Sequence, residues 1–139
     1  VKPLVDISVL FPAMWQAHLE HQRCRAWIDA VKMRESGWHL SAETFLGALR
    51  LMLNPASTSQ RPLRIEDALR TLRLEMAGVR RGSLLPSVEP DDVFLQRASG
   101  HRQVMDFYQV QLAAVHGIKF ATRDRGLAAE WPQHTLLIA

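Results

Sequence analysis

The chain has 139 residues, the length of one ordinary domain, and 47% of them are hydrophobic, enough for a packed core and too many for a disordered chain. Net charge is +3, from 17 basic and 14 acidic residues, which alone is weak grounds for a nucleic-acid partner. No apolar run nears the ~18 residues of a membrane span, and with Cys24 as the only cysteine an intrachain disulfide and a cysteine-built zinc site are both excluded.

In chain order, Pro3 to Val5 reads as a short apolar strand ending at Asp6. Ser8 to Phe11 starts a helical turn that Pro12 is expected to interrupt. Ala17 to Glu35 is helical, with Leu19, Ala26, Trp27, Ala30 and Val31 at helix spacing, and Gly37 ends it. Trp38 to Leu40 is a strand. Ser41 caps a helix over Ala42 to Leu53, whose stripe is Phe45, Leu46, Leu49, Met52 and Leu53, and Asn54-Pro55 stops it. A loop over Ala56 to Pro62 leads to a helix from Ile65 to Ala77, with Ala68, Leu69, Leu72 and Met76 on one face and Gly78 at its close. Ser83 to Leu85 is a candidate strand, and Pro90 to Ser99 a short helix begun by Asp91 and Asp92. Gly100-His101 opens a long helix to His116, striped by Val104, Phe107, Tyr108, Leu112 and Val115 and stopped by Gly117. Ile118 to Thr122 is a strand, Asp124 to Ala129 a helical turn, and Thr135 to Ile138 a last strand. Short, continuously apolar strands alternating with helices predict a parallel sheet covered by helices on both faces, in one domain over residues 1–139.

In such sheets ligands bind beyond the carboxyl ends of the strands. Asp6 and Asp124 follow two strand ends, and Glu43 begins the helix after a third. Asp106 lies in the second turn of the long helix, beside Phe107 on a partly apolar surface where a lone carboxylate is costly. Each has a plainer role open to it. Asp6 and Asp124 could cap the turns after them, Glu43 could face a helix dipole, and Asp106 could pair with Arg102 at i−4. Taken together, carboxylates gathered on one rim repel and raise each other's pKa, and a divalent cation removes that penalty. Magnesium suits an oxygen-only site, and phosphodiester hydrolysis is its natural chemistry there.

Four segments then carry a resemblance. Val5-Asp6-Ile7-Ser8-Val9-Leu10 is similar to the opening motif of PIN domains. Ala42-Glu43-Thr44-Phe45-Leu46, running on to Leu53-Asn54-Pro55, resembles the second motif of VapC-type toxins. Gly100-His101-Arg102-Gln103-Val104-Met105-Asp106 and Phe120-Ala121-Thr122-Arg123-Asp124-Arg125-Gly126-Leu127 resemble the third and fourth. The resemblance spans nearly the whole chain in order. It implies a three-layer PIN-like α/β fold, with a short, mainly parallel sheet flanked by helices. It also implies a magnesium-dependent endoribonuclease (manganese serving in its place) that acts as the toxin of a bacterial toxin–antitoxin pair. Partners would be an RNA substrate, a VapB-type antitoxin covering the site and a second copy in a homodimer. Asp6, Glu43, Asp106 and Asp124 would be the metal-site acids, with Ser8 and Thr122 orienting them or a bound water. Position 105, often Thr in this family, is Met105 here, which loses a hydroxyl but no carboxylate.

The remaining polar residues are less specific. Arg123 and Arg125 could hold a phosphate or belong to a solvated turn, and Arg80-Arg81 could touch RNA or form a charged loop. His18 and His21 stand three apart on a helix, but without a third ligand they read as surface residues. Trp15, Trp27, Trp38 and Trp131 could stack on bases, though core or interface roles are the commoner fate. Of the 17 Lys and Arg, only Lys2, Lys32 and Lys119 are lysine, and arginine's planar fork suits phosphate; a GC-rich genome explains the same bias. A cytoplasmic location is the simplest expectation. Because Val1-Lys2-Pro3 runs straight into a strand, no signal peptide is expected. Competing readings are an RNA-processing nuclease without a toxin role, a catalytically inactive metal- or RNA-binding module, and a phosphate-accepting signalling domain that would need Lys119 at the pocket.

Overall fold

The computed structural model describes residues 2–34, 37–78 and 80–139. Its centre is a five-stranded sheet of β1 (Leu4–Val5), β2 (Trp38–Leu40), β3 (Gly82–Leu84), β4 (Phe120–Thr122) and β5 (Thr135–Leu137), ordered β3-β2-β1-β4-β5. Every neighbouring pair is parallel. Leu4 pairs with His39 on one side and Phe120 on the other, so β1 is central. The chain builds β1, β2 and β3 outward in one direction, then returns across β1 to add β4 and β5. The order therefore reverses between β1 and β4, the place where ligands gather in open α/β sheets.

Alternation along the strands sends side chains into two cores. Val5 and Ala121 join a cluster with Val9, Leu10, Ile28, Leu40 and Met52, under α1 (Ile7–Met14), α2 (His21–Arg34), α3 (Ala42–Leu53) and α4 (Ile65–Met76). Leu4 and Phe120 point the other way and meet Phe107, Val110, Leu112, Leu127 and Trp131. That side is covered by α5 (Asp92–Leu95), α6 (Val104–Val115) and α7 (Arg125–Glu130). The result is the expected three-layer PIN-like architecture, with a wholly parallel sheet. No helix among the described residues is long and apolar enough to cross a membrane.

Most expected elements appear with shorter bounds. Pro12 does not interrupt α1 but lies inside it. A proline there has no N–H for the carbonyl four residues back, on Ser8, and that carbonyl instead accepts from Arg123 Nη1 at 3.4 Å. The helix expected from Ala17 begins only at His21; its expected last residue, Glu35, lies outside the described residues. Leu19 is therefore not on a buried stripe and is 98% exposed, and Cys24, Ile28 and Val31 form the buried face. Leu46, Leu53 and Leu69 sit at the edges of their helices' stripes and are exposed, as are Val104 and Val115 at the two ends of α6. The long helix is preceded by a 3-10 turn over His101–Gln103, so Asp106 lies in the first turn of α6, not the second. Gly117 closes α6 with φ +66°, a left-handed conformation natural to glycine.

Candidate active site

Asp6 follows β1 in extended conformation and is buried. Continuing the strand's alternation, it points to the side of Leu4, toward α6. Two hydroxyls converge on its Oδ2: Ser8 donates at 2.7 Å from the first turn of α1, and Thr122 donates at 2.7 Å from the end of β4. The same hydroxyl oxygens accept from the next loop, Ser8 from the Arg123 N–H at 3.1 Å and Thr122 from the Asp124 N–H at 3.1 Å. The β1 and β4 ends are thereby tied into one polar knot. Burial pushes the Asp6 carboxyl above its ordinary range, while the hydrogen bonds from Thr122 and Ser8 pull it partly back.

Asp106 faces this knot from α6. Its carboxyl is pushed up to about 6, first by burial and then by the negative charges of Asp6 and Asp124. Its place in the first helical turn favours ionisation, yet burial and like charge outweigh the dipole. Among the described residues Arg102 makes no ion pair with it. Glu43 stands in the first turn of α3, whose start is held by Ser41 Oγ accepting from the Thr44 N–H at 3.0 Å. Its Oε2 is buried without a hydrogen-bond partner. Asp6, Glu43 and Asp106 line a single cleft of about 370 Å³ between α1, α3 and α6.

Asp124 is exposed and lies outside that lining. Its Oδ1 accepts from the Leu127 N–H at 3.0 Å and caps α7, the plainer role open to it from sequence. It still acts on the cleft through the charge it presents to Asp106. The arginines divide. Arg123 turns to the Ser8 carbonyl and to Glu20 at 3.7 Å, while Arg125 is exposed on α7. Arg80 donates to the Lys32 and Met33 carbonyls at the end of α2, and Arg81 precedes β3. Both lie at the amino ends of the strands, on the rim opposite Asp6. Lys119 also precedes its strand and donates to the Gln133 carbonyl at 2.6 Å, which removes the lysine that a phosphate-accepting pocket needs. His18 accepts from the Glu20 N–H and His21 is bonded to the Pro12 carbonyl, so the pair serves loop geometry. Trp38 and Trp131 are core residues, and Trp15 stacks on Phe11.

Thr44, Arg50 and Gln109 line the cleft as well and were not singled out from sequence. The signal was present: Arg50 is seven residues beyond Glu43, and Gln109 three beyond Asp106, each on the face its acid occupies. Gln109 Oε1 is also buried without a partner. The donor set is oxygen throughout and carries two orphaned buried oxygens, which fits a hard cation with bound water. Among the described residues, no three acidic, histidine or cysteine side chains are gathered closely enough to enclose a metal ion by themselves.

A parallel sheet with an acidic cleft beside its switch point defines a PIN-like domain, and comparison with known proteins narrows the class. No family model matches the chain. It is 31% identical over 125 residues to Ribonuclease VapC38 of Mycobacterium tuberculosis (strain ATCC 25618 / H37Rv), covering 89% of this chain and 86% of that protein. It is 30% identical over 134 residues to Ribonuclease VapC44 of the same organism, covering 92% and 89%. To its Ribonuclease VapC39 it is 28% identical over 135 residues, covering 90% of each. The chain belongs to the VapC ribonuclease family.

Proposed function

We propose that this protein is a magnesium-dependent endoribonuclease, the toxin half of a toxin–antitoxin pair. The observation that carries the reading is the single cleft lined by buried Asp6, raised Asp106 and Glu43 with its orphaned Oε2. Asp6, Asp106 and Glu43 would hold the ion, Asp124 would reach it through water, and manganese would serve in magnesium's place. The ion, when bound, supplies Lewis-acid polarisation of the phosphodiester and activation of water. Ser8 and Thr122 fix Asp6 Oδ2, so the carboxylate needs no reordering during the reaction. Arg50 brings a positive charge to the cleft and would steady the RNA backbone, with Arg125 farther out. Water adds to phosphorus, the P–O3′ bond breaks, and the products are a 3′-hydroxyl and a 5′-phosphate. A VapB-type antitoxin and a second copy of the chain are proposed partners, on the strength of the family.

A second reading, an RNA- or metal-binding module without catalysis, draws on the spacing of the acids, no three of which converge among the described residues. One assay separates the two. RNA cleavage should require magnesium, stop in excess EDTA and return when magnesium is restored. Cleavage persisting in chelator would rule out the metal mechanism, and tight RNA binding without cleavage would select the second reading.

A further inference from the structure

The acidic cleft continues past Glu43 and Met105 into a second depression of about 280 Å³. Val88, Pro90 and Leu95 wall it on one side, and Val104, Met105 and Tyr108 of α6 on the other. Its shape is fixed from α6. The Tyr108 hydroxyl accepts from the Val88 N–H at 3.0 Å and donates to the Val88 carbonyl at 3.1 Å. One turn on, Gln111 accepts from the Asp91 N–H at 2.9 Å and donates to the Glu89 carbonyl at 2.8 Å. The loop over 88–91 is therefore held at both ends, and the pocket is preformed. At its mouth Val104 is 46% and Met105 52% exposed.

We propose that this pocket receives one unstacked nucleobase of single-stranded RNA, next to the phosphodiester at the acidic cleft. The inference rests on the nuclease reading above. A base and its phosphate are joined through one sugar, and the two depressions share the walls Glu43 and Met105, so a single nucleotide spans them. A base is flat, with apolar faces for aliphatic and aromatic walls, and splayed bases are the part of RNA that proteins read. It is also neutral, so it can sit against Glu43 without the repulsion a phosphate would meet. The Ser87 hydroxyl and the Glu43 carboxylate are the groups available to its polar edge. The pocket holds a ring but is small for a partner helix or strand.

The test is Val104→Trp, which fills the mouth from an exposed position and leaves every carboxylate in place. Wild-type cleavage rates on RNAs differing only in the base beside the cut should spread about tenfold or more, and the variant should compress that spread to about twofold. Rates on the preferred substrates should fall toward that on the poorest. A spread that survives in Val104→Trp overturns the proposal. Nucleoside 5′-monophosphates titrated into chelator-treated wild type should shift the Val104 and Met105 methyl resonances, and in the variant the Met105 methyl should stay in place. Such shifts in a protein that cuts no RNA would sustain the pocket while the nuclease reading fails. Cleavage without any shift or base preference would do the reverse. If Val104→Trp alters sedimentation but not base preference, the surface belongs to a second copy of the chain and the proposal falls.

Discussion

Asp106 keeps its proton to about pH 6 because it is part-buried and faces Asp6 and Asp124. The carboxyl binds its proton more tightly folded than unfolded. That contribution to stability is complete below the unfolded value of 3.8 and is lost as pH rises through about 6. Discounted for the part of the group that water reaches, it is worth on the order of 1 kcal/mol. Asp106→Asn should therefore raise the Tm of the chelator-treated protein at neutral pH and leave it unchanged below pH 3.8. Added magnesium should stabilise wild type more than the variant, and its affinity should weaken as pH falls below about 6. A variant less stable than wild type without metal would show that Asp106 serves the fold. Thr122→Val tests the knot around Asp6. It removes one of two hydroxyl donors from a buried carboxylate and should cost about 1–3 kcal/mol, read by urea unfolding. Sequence placed Asp6, Ser8 and Thr122 in one motif set but could not show that both hydroxyls choose the same oxygen. That choice comes from a contact between residues 116 positions apart.

At the scale of elements, each acid is aimed by the start of a helix. Ser41 caps α3 two residues before Glu43, so Ser41→Ala should lower stability by about 1 kcal/mol and weaken magnesium binding. Weakened stability with unchanged magnesium affinity would separate the cap from the site. β3 offers a second test. A Cβ at Gly82 would stand 2.8 Å from the buried Trp38 ring, so Gly82→Ala should cost about 1–3 kcal/mol without altering the cleft. Helices α3, α4 and α6 were legible because their apolar residues recur on one face and their ends carry Ser41, Asn54-Pro55 and Gly117. Pro12 misled because its effect depends on a distant partner: Arg123 uses the carbonyl that the proline leaves free. Leu19 misled because helical spacing says nothing about where a helix begins.

For the whole molecule, strand order decides where the acids meet. Sequence showed alternating strands and helices, hence a parallel sheet, but not that β4 would lie beside β1. That adjacency puts Thr122 against Asp6 and lets α6 carry Asp106 to the same crevice. Arg80 and Arg81 lie on the far rim because they precede β3, which runs parallel to β1 through β2. Glu43 and Asp106 come from helices on opposite sides of the sheet and line one cleft at its carboxyl rim. Catalysis at this crevice is the central claim. Its most direct test is the rate of magnesium-dependent cleavage of single-stranded RNA by Asp6→Asn and Asp106→Asn beside wild type, with folding checked by circular dichroism. Each folded variant should cleave more than about a hundredfold more slowly than wild type. Wild-type cleavage rates in either folded variant would contradict the account.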